Sequence, residues 1–417
     1  MKIIRFFYTI LFFALCLNGN SQTHANRCGT VEYTNYKISK NPSLRQTMDS
    51  IEAFTTNFVK VNKNFQSKTT IYIPVVVHVL YNLPSQNIST AQIVSQIDVL
   101  NEDYRRLNAD TLSTPAFFKN LAADCQIEFC FAKQDPQGNF TNGITRTQTT
   151  KTVFDMALDD AKFTSQGGHD IWNRDKYLNL WVVPSIKDGT TTDILGYSQF
   201  PGDAASTDGV VIQYRNFGRI GNLDPYYNLG RTATHEVGHW LNLYHIWGDD
   251  GSGCWGSDYV DDTPNQADEN YGCPQYPAPS CSNTSDMYSN YMDYSDDSCM
   301  NIFSIGQKTR MMATLTGTRN SLLSSAGCLT NGIENYETEL GLKIYPNPAN
   351  NLITVSLFTS NAFTISIFSM LGEKVLSKKI ADKKEINIDC SDFSQGIYFV
   401  EIETALSHIY KKLQIIK

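Results

Sequence analysis

Apolar positions along the chain fall into blocks of different period. TIYIPVVVHVLY, residues 70 to 81, reads as a strongly apolar strand, and TAQIVSQIDVLNEDYRRLN, residues 90 to 108, follows with apolar residues at helical spacing. Further strand candidates are CQIEFCFA (125 to 132), YLNLWVVP (177 to 184) and DGVVIQY (208 to 214). A helical segment leads into 231 to 244, an irregular cysteine-rich stretch covers 249 to 299, and IGQKTRMMATLTGTRNSLL, 305 to 323, reads as a closing helix. This mixed order predicts an α/β or α+β body with helices packed on one sheet.

Outside this body the pattern changes. Residues 30 to 68 are polar, with only a weak helical period from Thr47 to Val59, and read as a leader or linker. After Cys328 the polar TNGIENYETEL reads as a second linker. Beyond it, short alternating strands separated by turn residues predict a small all-β sandwich over 343 to 417. The start, MKIIRFFYTILFFALCLNGNSQT, has Lys2 and Arg5, an apolar run from Phe6 to Leu17, then small and polar residues, the layout of a signal peptide over 1 to 21. Cys16 follows a bulky Leu15, which argues against lipid attachment there.

At 417 residues the chain is long enough for a large core plus a smaller module, and its ten cysteines fit an oxidising compartment. A net charge of −8, with acids clustered around 249 to 297, argues against nucleic acid as a partner, because phosphate binding needs clustered Lys and Arg. That charge suits cations instead, either calcium or basic peptide side chains. No later stretch is apolar for long enough to span a bilayer, so no transmembrane segment is expected in the mature protein.

The densest chemistry lies in HEVGHWLNLYH, residues 235 to 245. His235 and His239, four apart, project from one face of a helix at the spacing two imidazoles need to share a tetrahedral zinc, and Glu236 lies beside the open position. His245 comes six residues later, where an unbroken helix would have turned by about 600° and carried it away. A third histidine ligand therefore requires the helix to end, and Asn242 stands where the break is needed, a residue that tolerates the left-handed conformation.

This segment resembles the metzincin metallopeptidases, whose motif has Gly where this chain has Asn242. Met292 in NYMDYSDD, 290 to 297, resembles their methionine turn beneath the metal. HEVGHWLNLYH, CWGSDYVDDTP and NYMDY together are most similar to the pappalysin family, over roughly residues 70 to 325. The resemblance narrows the fold to α+β, with a mixed twisted sheet and an irregular lower part. It implies a secreted zinc endopeptidase in which zinc activates a water, Glu236 takes its proton and returns it to the leaving amine, and Tyr294 stabilises the oxyanion. It implies that Asp297 selects Arg or Lys just after the scissile bond. CWGSDYVDDTP has acids, carbonyls and a threonine spaced as in a loop that wraps a hard cation, and by resemblance Asp258, the Val260 carbonyl and Thr263 hold calcium. Cysteines 254, 273, 281 and 299 allow three pairings, of which the family pattern favours Cys254 with Cys281 and Cys273 with Cys299. Cys125, Cys130, Cys328 and Cys390 stay unassigned.

NRCGT, residues 26 to 30, places a lone thiol in the leader. A thiolate is a good zinc ligand, and a zinc held by three histidines has one position left, so Cys28 can displace the water on which hydrolysis depends. The Arg-Cys-Gly order resembles the cysteine switch of metzincin zymogens, with Gly29 allowing close approach and Arg27 pairing with an acid in the cleft. The alternative is a disulfide with one of the unassigned cysteines. The expected map is a signal peptide 1–21, a propeptide 22–55 with Arg45 and Lys40 as plausible cleavage points, a catalytic domain 56–328, a linker 329–342 and the sandwich 343–417.

The tail resembles the C-terminal sorting domains of type IX secretion through YPNPANN, FSMLGEKV, SQGIYFVEI and the basic end YKKLQIIK. That resemblance implies export, then passage across the outer membrane by the type IX machinery to the surface or the medium, and protein or peptide substrates for the body. The alternatives are an adhesive sandwich and, for the whole chain, a zinc-containing surface adhesin or peptide-binding protein without turnover. The oligomeric state is left open.

Overall fold

A computed structural model describes residues 27–62, 69–189, 193–328, 342–357, 362–370, 372–381, 383–403 and 408–417. The expected signal peptide and all of the expected linker except residue 342 lie outside them.

In chain order the first part contains α1 (Thr30–Lys40), α2 (Ser43–Val61), β1 (Ile71–Tyr81), α3 (Thr90–Tyr104), β2 (Ile127–Phe131), β3 (Ile144–Gln148) and β4 (Phe154–Asp155). It continues with β5 (Leu178–Val183), β6 (Ile186–Lys187), β7 (Gly196–Ser198), β8 (Val210–Gln213), α4 (Arg231–Trp240) and α5 (Ile305–Thr316). The main sheet has the order β2-β1-β5-β8-β7. Strand β1 pairs in parallel with β2 through Ile71–Val75 and with β3 through Val77–Tyr81, and β5 and β8 extend the parallel sheet. Only the edge strand β7 is antiparallel, and its free side receives the leader. Strands β1, β5 and β8 are buried along nearly their whole length, the reason they read as continuous apolar runs. On one face Val75, Val77, Leu180 and Ile212 pack with Val237, Trp240 and Leu241 of the α4 region. On the other, Leu80, Trp181, Val183, Tyr197 and Val211 pack with Tyr33 of α1.

In the leader, residues 30–61 form α1 and α2 with a short joint; α2 contains the weak helical period expected from Thr47 to Val59 and runs unbroken through the expected 55/56 boundary. The helical signal was weak because few positions are buried: Thr30 and Tyr33 in α1, and Leu44, Met48, Ile51 and Thr55 in α2. Tyr33 packs with the sheet, and Leu44 and Met48 with Ile38 of α1 and with Phe200 and Tyr244 of the body, so the helices depend on packing rather than on their own propensity. Arg310 of α5, for example, donates to both carboxylate oxygens of Glu52 at 2.8 Å. The closing helix is also shorter than expected; α5 stops at Thr316, and Asn320–Ser324 form a separate short 3-10 turn.

Between α4 and α5 the described chain has no further helix or strand and is held by cross-links. Disulfides join Cys254 to Cys281 and Cys273 to Cys299, and Cys130 of β2 to Cys328 at the end of the body, 198 residues away. Among the described residues Cys28, Cys125 and Cys390 are free and buried.

The tail has strands β9 (Lys343–Tyr345), β10 (Leu352–Ser356), β11 (Phe363–Ser369), β12 (Lys374–Ile380), β13 (Glu385–Asp389), β14 (Gly396–Glu403) and β15 (His408–Ile415). They form two antiparallel sheets, β13-β10-β9 and β12-β11-β14-β15, closed over a core of Ile353, Val355, Ile365, Ile367, Val400, Ile402 and Leu413. No described helix is long and apolar enough to cross a membrane.

Candidate active site

Helix α4 starts where Gly230, at φ +81°, turns the chain into it, and all ten of its residues are buried. The amides of Leu229 and Arg231 at its entry donate to Asp297 Oδ2 at 2.9 and 3.1 Å, so a carboxylate from the lower part meets the helix's positive end. His235 and His239 share one face, with their Nε2 atoms 3.1 Å apart. The helix stops at Leu241, Asn242 takes φ +70°, and the reversed chain returns His245 with its Nε2 3.2 and 3.1 Å from those of His235 and His239. Met292 lies directly beneath: a Cβ on Gly238 would come within 2.4 Å of its Sδ, so only glycine lets the helix and the methionine meet.

The hydrogen bonds fix which ring nitrogens face one another. His235 Nδ1 lies 2.7 Å from the Tyr291 carbonyl, His239 Nδ1 2.8 Å from the Leu243 carbonyl, and His245 Nδ1 2.6 Å from Asp249 Oδ1. Those partners only accept, so each Nδ1 carries the proton and each Nε2 presents a lone pair. Three lone pairs converging at about 3 Å repel unless a cation sits between them, and three imidazoles are a zinc donor set. Burial first, and then the neighbouring imidazoles, hold His235 and His239 well below the ordinary histidine range, which keeps them neutral and ready to bind a metal.

The leader completes the cluster. Ligand atoms of Cys28, His235, His239 and His245 all lie within 4.8 Å of one another, and all four residues are buried. Burial and then the Glu236 carboxylate push the Cys28 thiol well up, so a thiolate there needs a cation beside it. Glu236 is itself pushed up to about 7, chiefly by burial. Its Oε2 accepts from Thr30 Oγ1 at 2.8 Å, while Oε1 has no hydrogen-bond donor among the described residues. Tyr294 Oη lies 3.3 Å from the Cys28 carbonyl, its ring packed edge-on against Trp247. The leader backbone pairs with the edge strand: Cys28 bridges to Gly196, and Gly29 N donates to Gly196 O at 2.9 Å.

Arg27 fills a pocket beside this centre. Its Nη2 lies 3.3 Å from Asp297 Oδ1 and 3.0 Å from Met300 Sδ, its Nη1 donates to the Ser295 carbonyl, and its guanidinium sits 4.8 Å from the Tyr227 ring centre. Both members of the pair are fully buried. The structure thus brings together His235, His239, His245, Glu236, Tyr294, Asp297 and Cys28. Asp258, Val260 and Thr263 gather elsewhere in the lower part: Thr263 Oγ1 lies 2.7 Å from Asp258 Oδ2 and 3.0 Å from the Val260 carbonyl. These oxygens are the donor type a hard cation takes, and burial pushes Asp258 up to about 7.

Three contributors were not found from the sequence. Asp249 is four residues past His245, a visible spacing; Thr30 lies two residues after Cys28 but carries no motif; the Tyr291 carbonyl gives no side-chain signal at all.

Residues 162–316 match the sequence family described as pregnancy-associated plasma protein-A, and residues 343–417 match the secretion system C-terminal sorting domain. Mature mirolysin of Tannerella forsythia, solved in complex with a cleaved peptide, is 53% identical, matches 64% of this chain and 100% of its own, and has a TM-score of 0.61. A promirolysin mutant of the same organism is 47% identical over 73% of this chain and 100% of its own, with a TM-score of 0.65. An extracellular metalloprotease of Arthroderma benhamiae is 29% identical over 314 residues, 73% of this chain and 88% of its own.

Proposed function

The chain belongs to the pappalysin family of metallopeptidases and carries a type IX sorting tail, and from that premise we propose that it is a latent precursor whose mature form cuts peptides before Arg or Lys. As a secreted metalloendopeptidase it is an enzyme, which decides against the adhesin reading. The observation that carries the specificity is Arg27, which lies in a buried pocket against Asp297, next to a cysteine among three histidines.

His235, His239 and His245 would hold zinc, which would supply a Lewis acid able to lower the pKa of a water and polarise a carbonyl. Glu236 acts as the base, its affinity for a proton raised by burial so that it can take one near neutral pH and return it to the leaving amine. The Tyr294 hydroxyl, which meets the Cys28 carbonyl in the precursor, is placed to donate to the oxyanion of a substrate. Asp297 divides its work: Oδ2 is occupied by the α4 entry, and Oδ1 is left for an incoming guanidinium or ammonium.

The leader inhibits because it lies backwards. In a substrate cut before Arg, the chain reaches the metal on the N-terminal side of that Arg. In the leader, Cys28 is on the C-terminal side of Arg27, so the pocket is filled while no bond of the leader is presented in the productive direction. Cys28 would supply a fourth ligand to the metal, and Thr30 Oγ1 donates to Glu236, the proposed base. Removal of a propeptide over 22–55 frees the site. Lys40 and Arg45 are exposed on either side of the α1–α2 joint, and Arg45 is a cut the mature enzyme's own specificity allows. Promirolysin matches more of this chain than mature mirolysin does, which supports a leader of this kind. Asp258, Val260 and Thr263 would hold calcium that stiffens the lower part, and the tail would be read by the type IX machinery.

The test is a cleavage profile of the matured protein on a mixed peptide library. Arg and Lys should dominate the position after the cut, and a profile dominated by apolar residues there would refute the reading.

A further inference from the structure

Tyr33, one turn into α1, has no part in that chemistry, yet it is 1% exposed and the polar and aromatic partners of its side chain come from the catalytic body, apart from Lys37. Its hydroxyl donates to Asp159 Oδ1 at 2.7 Å, and Lys162 Nζ donates to it at 3.2 Å. Its ring lies 5.0 Å from that of Tyr197, with the Lys162 ammonium 4.8 Å from the Tyr33 ring centre. We propose that this socket is a side-chain subsite of the mature enzyme, taking a phenolic residue of the substrate on the N-terminal side of the cut bond. The proposal rests on removal of the leader in the proposed maturation.

The socket does not need Tyr33 to hold its charges. Lys162, fully buried, also donates to the Thr207 carbonyl at 2.7 Å and pairs with Asp159 at 2.9 Å, and both partners stay with the body. Departure of the leader uncovers a carboxylate that accepts, an ammonium that donates, and an aromatic floor of Tyr197. A phenol answers all three, because its hydroxyl both donates and accepts. Phenylalanine leaves both polar groups unanswered, an acidic side chain meets Asp159, and a basic one meets Lys162. Although burial opposes it, Lys162 and then Lys37 keep Asp159 below the ordinary carboxylate range, so it stays an acceptor.

The leader's direction sets the position. Arg27 fills the pocket for the residue after the cut and Cys28 sits at the histidines, so the leader residues beyond Cys28 lie where substrate residues before the cut would lie. A peptide laid along the free edge of β7 alternates its side chains between the two faces. Gly196 faces Glu236, since a Cβ there would lie 3.0 Å from Glu236 Cγ, and Tyr197 turns to the other face, where the socket is. Every second side chain of the substrate beside β7 therefore turns to the face that carries Asp159 and Lys162, and one of them comes level with the socket.

The experiment measures kcat/KM of the matured enzyme on quenched peptides that share Arg after the cut and carry Tyr, Phe or Ala at each of the positions two to four before it. One position should prefer Tyr over Phe by about tenfold, the size of one hydrogen bond to a charged group, and Phe over Ala. Asp159→Asn should bring the Tyr-over-Phe ratio, read within the variant, close to one; Asp159 has φ +53°, a conformation Asn also accepts. Equal rates for Tyr, Phe and Ala at every position, with the Ala peptides still cut before Arg, overturn the socket and leave the catalytic reading standing. A Tyr preference that survives Asp159→Asn overturns it as well.

Discussion

Thr30 Oγ1 donates to Glu236 Oε2 across 2.8 Å and accepts from the Ser198 amide across 2.9 Å, with all three residues closed off from solvent. Under the proposed function latency rests on two contacts, the Cys28 thiol among the three histidines and the Thr30 hydroxyl on Glu236. A Cys28→Ala precursor should keep part of its latency, and adding Thr30→Val should raise its activity about tenfold further, the worth of one hydrogen bond to a charged group. Equal activity of the single and double variants on an Arg peptide would remove Thr30 from the mechanism.

Asp297 carries two separable loads, and two substitutions should separate them. Asp297→Asn keeps an oxygen for the Leu229 and Arg231 amides but loses the charge facing the pocket. It should cost ~100-fold in kcat/KM on Arg substrates, as expected for a lost buried charge pair, with little change in Tm. Asp297→Ala also removes the α4 cap and should lower stability by about 1 kcal/mol more. Thermal melts and kinetics on both variants check this; an Asn variant that still prefers Arg contradicts the assignment.

How much of this was legible depends on the kind of signal each part carries. His235, Glu236 and His239 were readable because four-residue spacing on a helix is local, and the Asn242 break was implied by where His245 had to return. Strands β1, β5 and β8 were readable because burial on both faces makes continuous apolar runs. The leader helices showed only as the weak period from Thr47 to Val59, since few of their side chains are buried: Tyr33 packs on the sheet, and Leu44 and Met48 cluster with Ile38, Phe200 and Tyr244. Strand β7, Gly-Tyr-Ser, is too short for any period, yet it lines the cleft. The Cys130–Cys328 bridge spans 198 residues and depends on topology that spacing does not show. Thr30 and Tyr33 carry no motif, and only the fold shows that they face Glu236 and Asp159.

Asp258 sets a pH dependence. Burial raises it to about 7 in the folded chain, above the roughly 3.9 of an unfolded aspartate. The folded state holds this proton more tightly, so in calcium-free protein the contribution of the group is greatest in acid and is lost as pH rises from about 4 through about 7. In the proposed calcium site the ion would replace that proton, so the rise in Tm on adding calcium should grow across the same window. Calorimetry at pH 5 and at pH 7.5 checks this, and a calcium shift of equal size at both contradicts it.

Glu236 is not among the ligand atoms, so Glu236→Ala should keep one zinc per chain by elemental analysis. Activity should fall by about 10²–10⁴-fold, the usual worth of a general base. Zinc loss on this substitution would move Glu236 from base to ligand.

The central claim is that the leader's own thiol closes the metal site of the precursor. X-ray absorption at the zinc edge reads it directly on the intact protein. One sulfur and three nitrogen scatterers are predicted before maturation, with the sulfur gone afterwards and absent in Cys28→Ala. A precursor whose zinc shows only nitrogen and oxygen neighbours would contradict the account.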